Sequence, residues 1–72
     1  MTTRPEKHSL TLQGHRTSVS LEPEFWTAFT KAAKEDGKAI NELAVEIDES
    51  RGDVGLASAI RVLILKRLQS DA

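Results

Sequence analysis

Apolar and polar side chains alternate along residues 16–21, and this short stretch constrains the fold more than any other part of the chain. Strand side chains point alternately to two faces, so Val19 and Leu21 share one face. The opposite face carries three polar side chains, those of Arg16, Ser18 and Ser20. Pro23 then begins a helical pattern without any linker. A strand that leads directly into a helix predicts a ribbon that needs a partner strand, and we expect that strand to pair across a homodimer.

The chain has 72 residues and no cysteine, which predicts one domain with no disulfide and no thiolate-bound zinc. A chain of this size buries only about 60% of its unfolded surface, and such chains commonly gain stability by forming oligomers. No apolar run approaches the roughly 20 residues that span a membrane. The polar N-terminus lacks the apolar centre of a signal peptide, so we expect a cytoplasmic protein that does not enter membranes.

The charge of the chain is unevenly distributed, although its total is only −1. Residues 1–20 carry a net charge of +2, and residues 21–72 carry −3. Such a directional field can attract a polyanion despite an acidic total. We interpret residues 1–8 as a flexible arm whose Arg4 and Lys7 touch phosphates, residues 9–69 as the folded domain and residues 70–72 as a tail.

A second, weaker alternation covers residues 8–13 and ends at Gly14, which permits a turn. This segment is either a short strand that forms a hairpin with residues 16–21 or an extended arm. We favour the strand because Leu10 and Leu12 fall on the same side.

Three helices are predicted after the strand. Proline suits the first position of a helix, so the first helix begins at Pro23, and it ends at Gly37. The second runs from about residue 39 or 40 to residue 49, and the third from about residue 56 to residue 68. Apolar residues cover more than half of the third helix, so it either lies at the centre of a larger core or packs against its own copy. In a chain of 72 residues we favour its own copy.

The order of strand, proline-started helix, glycine turn and helix resembles the ribbon-helix-helix superfamily. Residues 14–18, the Phe25–Trp26 pair and residues 56–62 are more narrowly similar to a bacterial branch of small members. Together these segments cover roughly residues 9–68. The resemblance implies an α+β, mostly α fold and an obligate intertwined homodimer, in which one strand from each subunit pairs antiparallel across a two-fold axis.

The resemblance also implies duplex DNA as the partner, because a two-stranded ribbon fits the major groove. It places Arg16, Ser18 and Ser20 at the positions that read bases. Phosphate contacts are expected from the arm, the strand start and the start of the second helix: Arg4, Lys7, His15, Lys38, Ala39, Ile40 and Asn41. The residues predicted for the dimer core are Val19, Leu21, Trp26, Phe29, Leu43, Ile47, Ile60, Leu63 and Ile64.

Several alternatives remain beside this reading. Periodicity alone favours a solvated strand face for Arg16, Ser18 and Ser20, and only the resemblance favours DNA contact. Ala39 stands where the superfamily often has a serine, and residues 21–72 carry a net negative charge. A dimer that acts as a protein-interaction module without binding DNA is therefore the alternative to a transcriptional regulator or repressor.

No arrangement of residues predicts catalysis. The surroundings of His8 and His15 in the sequence lack cysteine and clustered carboxylates, so we expect no metal site and interpret both as surface or hydrogen-bonding histidines. We also expect no cofactor, no small-molecule substrate and no enzymatic activity.

Overall fold

The computed structural model describes residues 4–70, in which two strands precede three helices. The elements are β1 (Glu6–Leu12), β2 (His15–Leu21), α1 (Pro23–Glu35), α2 (Ile40–Ser50) and α3 (Leu56–Ser70). This order confirms the mostly helical α+β fold and all three predicted helices. No helix within residues 4–70 is long and apolar enough to cross a membrane.

The strands form an antiparallel hairpin within one chain, in a register that pairs Leu12 with His15. Gln13 and Gly14 link them with φ angles of 50° and 84°. Two consecutive positive φ angles are the geometry of a type I′ turn, whose twist matches that of the flanking strands. Of the two alternatives for residues 8–13, the strand is therefore correct for the residues up to Leu12.

Two predicted boundaries need correction. β1 begins at Glu6, so residues 6–8 of the predicted arm lie in the sheet, where Lys7 pairs with Ser20 and His8 with Val19. α3 continues to Ser70, which takes one residue from the predicted tail. The rest of the tail and residues 1–3 of the arm lie outside the described residues.

Gly37, two residues beyond the last residue of α1, explains why the helix ends there. Gly37 has a φ angle of 68°, and its N–H donates to the carbonyl of Lys34 at 3.1 Å. The N–H of Lys38 donates to the carbonyl of Ala33 at 2.9 Å. These two bonds form a Schellman motif, which satisfies the last carbonyls of the helix and turns the chain toward α2.

The core lies between the inner face of the hairpin and the three helices. Its buried apolar residues are Leu10, Val19, Leu21, Phe29, Ala32, Ala33, Leu43, Ala44, Ile47, Ile60 and Ile64. The residues predicted for the dimer core are buried here within a single chain, apart from Trp26 and Leu63, which are partly buried against it. The burial of these side chains therefore does not require a second copy.

One side of α3 lies outside this core. Ile60 and Ile64 are buried, whereas Val62, Leu65 and Leu68 are 47%, 53% and 64% exposed. The apolar composition of α3 thus leaves a stripe of large side chains in water.

Candidate nucleic-acid interface

Six polar side chains form the outer face of the hairpin, which is the face turned away from the helices. They are Lys7, Ser9 and Thr11 on β1 and Arg16, Ser18 and Ser20 on β2, and all six are exposed. The register brings them together as adjacent cross-strand pairs. The residues that we predicted to read bases therefore lie on one exposed surface, and β1 widens that surface with three further polar residues.

The charge of the outer face is positive. It carries the cations Lys7 and Arg16 together with four hydroxyl groups, and none of its six side chains is a carboxylate. Among residues 4–70, neither cation has an ion-pair partner. Both are therefore available to an external anion.

The two edges of the hairpin differ. Leu12 and His15 close a two-residue turn and form a hydrogen-bonded pair. Hydrogen-bonded and non-hydrogen-bonded pairs alternate from there along the hairpin, so residues 7, 9 and 11 direct their N–H and C=O groups away from β2. The N–H of Thr11 accordingly donates to the Oδ1 atom of Asn41 in α2, at 3.1 Å. The β1 edge is therefore partly covered by α2.

The β2 edge is open. By the same alternation, residues 16, 18 and 20 direct their N–H and C=O groups away from β1. Within residues 4–70, the one hydrogen bond to this edge runs from Nη2 of Arg61 to the carbonyl of Ser20, at 3.3 Å. The remaining backbone groups of the β2 edge are free to pair with another strand.

The start of α2, where we predicted a phosphate site, is occupied by the chain's own acids. The N–H of Ala39 donates to Oε1 of Glu42 at 3.0 Å, which is one half of a capping box. Lys38 donates to Glu46 at 2.7 Å, and this bond is the main cause that raises the pKa of Lys38. A phosphate at this position would have to displace Glu42 and compete for Lys38. Sequence reasoning missed Glu42 because the signature of a capping box begins with Ser, Thr, Asp or Asn, and Ala39 is none of these.

Arg61 joins the end of β2 to α3. Its Nε and Nη2 atoms donate to Oε1 of Glu22 at 3.1 Å and 3.0 Å. Its guanidinium carbon lies 5.8 Å from the centre of the Phe25 ring. The pKa of Glu22 is lowered, first by a hydrogen bond from its own backbone and then by Arg61. Sequence reasoning did not single out Arg61, because no local pattern links positions 39 residues apart.

The two histidines differ in their surroundings. His8 lies on the inner face of β1, and its ring stacks on that of Trp26 with centres 3.8 Å apart and planes 3° apart. Its Nε2 atom is buried without a hydrogen-bond partner in the described part of the chain. The interpretation of His8 as a surface or hydrogen-bonding histidine needs correction, because the side chain is half-buried and stacked and its Nε2 atom makes no hydrogen bond within residues 4–70. His15 is exposed beside the turn, and Arg4 is exposed before β1.

No group of three or more His, Asp or Glu residues within residues 4–70 has an arrangement that could hold a metal ion.

Comparison with known proteins agrees with this fold. The model of the ribbon-helix-helix domain family matches residues 5–68. The chain belongs to the ribbon-helix-helix domain family, whose members are generally DNA-binding transcription regulators with a non-enzymatic fold. Domains of this family typically form homodimers. No similar protein was found among curated sequences, and no similar solved structure was found.

Proposed function

We propose that this chain is a homodimeric, sequence-specific DNA-binding regulator that reads the major groove with the β2 strands of two copies. The observation that supports it is the combination of an open β2 edge with an outer face that carries no carboxylate and two cations without an ion pair in the described part of the chain. An open strand edge accepts another strand, and a carboxylate-free cationic face suits a polyanion.

The pairing geometry follows from the directions of the backbone groups. A two-fold axis at Ser18 would place Arg16 of one copy opposite Ser20 of the other, with all outward N–H and C=O groups paired. The outer faces of both copies would then point the same way. A shift by one residue would turn them to opposite sides, so this alignment keeps a single reading surface.

The exposed stripe of α3 supports the same assembly. Phe25, Val62, Leu65 and Leu68 line one shallow apolar groove together with Arg61. Arg61 also touches the β2 edge at Ser20, so the groove and the open edge lie on the same side of the molecule. A second copy that pairs with β2 would cover both at once. This assembly supplies the partner that the apolar α3 needs.

Base reading belongs to the centre of the paired strands. Arginine can form two parallel hydrogen bonds to a guanine edge, and serine can donate to or accept from several bases. Arg16 would supply the strongest preference, with Ser18 and Ser20 refining it. Arg4 and His15 would add phosphate contacts at the two ends of the hairpin, and Lys7 would add one from the outer face of β1. Lys38, Ala39, Ile40 and Asn41 would add one only after Glu42 moves.

A protein-interaction module is the second candidate. The observation that favours it is the start of α2, where Glu42 and Glu46 occupy two of the groups that a phosphate would use, the N–H of Ala39 and the ammonium of Lys38. In this case the two copies would pair through β2 but bind an apolar or basic protein surface.

Selection of bound duplexes from a random pool, followed by binding measurements in a salt series, tests the proposal. We expect an enriched sequence with two-fold symmetry and an affinity that falls steeply as salt rises, because counterions are released from the phosphates. A pool with no enrichment, or an affinity for DNA that salt barely changes, would contradict the proposal and favour the interaction module.

A further inference from the structure

We propose that β1 is a phosphate-binding strand, whose Lys7, Ser9 and Thr11 side chains contact the two phosphate rows that border the groove read by β2. This inference rests on the proposed function. It assigns a separate role to the half of the outer face that base reading does not use.

The width of the paired sheet separates the two roles. Two copies joined through β2 have the strand order β1, β2, β2, β1, because β1 flanks β2 in each chain. Neighbouring strands lie about 4.8 Å apart, so the two β1 strands would be about 14 Å apart. The major groove is about 12 Å wide and admits two strands. The β1 strands therefore fall over the walls of the groove, where phosphates lie and base edges are out of reach.

The side chains of β1 suit phosphates. An ammonium group and two hydroxyl groups project from the same face as Arg16, and phosphate oxygens commonly accept hydrogen bonds from these three residue types. The register sets Lys7 beside Ser20 and Thr11 beside Arg16, so each phosphate-binding group flanks a base-reading one. Contacts at the walls would thus fix the depth and direction of Arg16 in the groove.

β1 is also held rigidly, which distinguishes it from the flexible tether that we predicted for Lys7. Leu10 is buried in the core, the His8 ring stacks on Trp26, and the N–H of Thr11 is bound by Asn41. The turn is fixed as well, because Nε2 of Gln13 donates to Glu49 at 3.2 Å. A phosphate contact made from a fixed strand loses less conformational entropy than one made from a mobile arm.

Lys7→Gln in the full chain tests the assignment, with fluorescence polarisation against the selected duplex and a scrambled duplex. We expect a similar several-fold loss on both duplexes and an unchanged base preference. The slope of log K against log salt should become shallower by about 2. Each phosphate contact contributes about 0.9 to this slope, and each of the two copies loses one contact. Lys31→Gln is the matched control, since Lys31 is exposed on α1 and not on the sheet. It should leave the slope unchanged.

Duplexes with single neutral methylphosphonate groups along the groove walls locate the contact. One such position should weaken binding of the unchanged protein and have no further effect on Lys7→Gln. If Lys7→Gln binds with unchanged affinity and slope, or changes the preferred base, the role of β1 is wrong while DNA binding stands. If the unchanged protein binds no duplex even at low salt, the proposed function itself fails.

Discussion

At the scale of single residues, Arg16 carries the largest share of the proposed specificity. Arg16→Ala should cost about 1–3 kcal/mol of binding free energy on the selected duplex and relax the preference at one base pair. The fold should be unaffected, because the side chain is exposed and has no ion pair within residues 4–70. Polarisation against duplexes varied at single positions measures both effects. Equal losses on selected and scrambled duplexes would show that Arg16 contacts only phosphate.

The lowered pKa of Glu22 predicts how the stability of the fold depends on pH. Because its pKa is lowered in the folded chain, its carboxylate stabilises the fold above the ordinary glutamate value of about 4.3 and loses that effect as pH falls through the lowered pKa. Glu22→Gln should therefore melt at a lower temperature than the unchanged chain at pH 7, and the difference should shrink below about pH 4.

Thermal melts followed by circular dichroism across this pH range give the comparison. Glu6→Gln is the control, since Glu6 is exposed and has no ion pair within residues 4–70. It should melt at the same temperature as the unchanged chain at pH 7. A difference in melting temperature between Glu22→Gln and the unchanged chain that does not shrink as the pH falls below about 4 would argue against the lowered pKa of Glu22 as its cause.

At the scale of elements, the hairpin depends on its turn. Gly14 has a φ angle of 84° and nothing within 4 Å of the place a Cβ atom would take. Gly14→Ala should therefore destabilise the fold only through backbone strain, by about 1–2 kcal/mol. Chemical denaturation gives the value. Gly55→Ala, at a glycine with equally open surroundings and no positive φ, should cost less. Equal costs would mean that the turn does not depend on glycine.

The elements were mostly predictable from the sequence because their signals are local. Alternation marked β2, Pro23 marked the start of α1, and Gly37 marked its end. The start of β1 was missed because Glu6 and Lys7 are both polar and exposed, so no alternation shows there, and only pairing with β2 makes the segment a strand.

The candidate site was predictable in part for the same reason. Periodicity placed Arg16, Ser18 and Ser20 on one face. It could not reveal that Asn41 covers one sheet edge or that Arg61 reaches Ser20, because both contacts join residues 30 or more positions apart. The stacking of His8 on Trp26 likewise depends on how β1 lies over α1.

At the scale of the whole molecule, the stripe on α3 predicts the assembly. Leu65→Asp should convert a dimer into a folded monomer, because Leu65 is 53% exposed and contributes little to the core of one chain. Light scattering at micromolar concentration measures the mass, and circular dichroism checks the fold. Lys66→Glu, on another side of α3, is the control and should remain dimeric. A monomeric unchanged chain would contradict the proposed dimer.

The unequal edges of the hairpin limit how far such association can go. In the proposed dimer each chain offers its β2 edge to a neighbour, whereas α2 partly covers the β1 edge through Asn41. In the proposed pair of copies, each outer margin of the combined sheet would carry this Asn41 contact at Thr11, which hinders the addition of a further strand there. The proposed assembly would therefore favour a closed pair over growth into a fibre, although each chain exposes an unpaired strand edge.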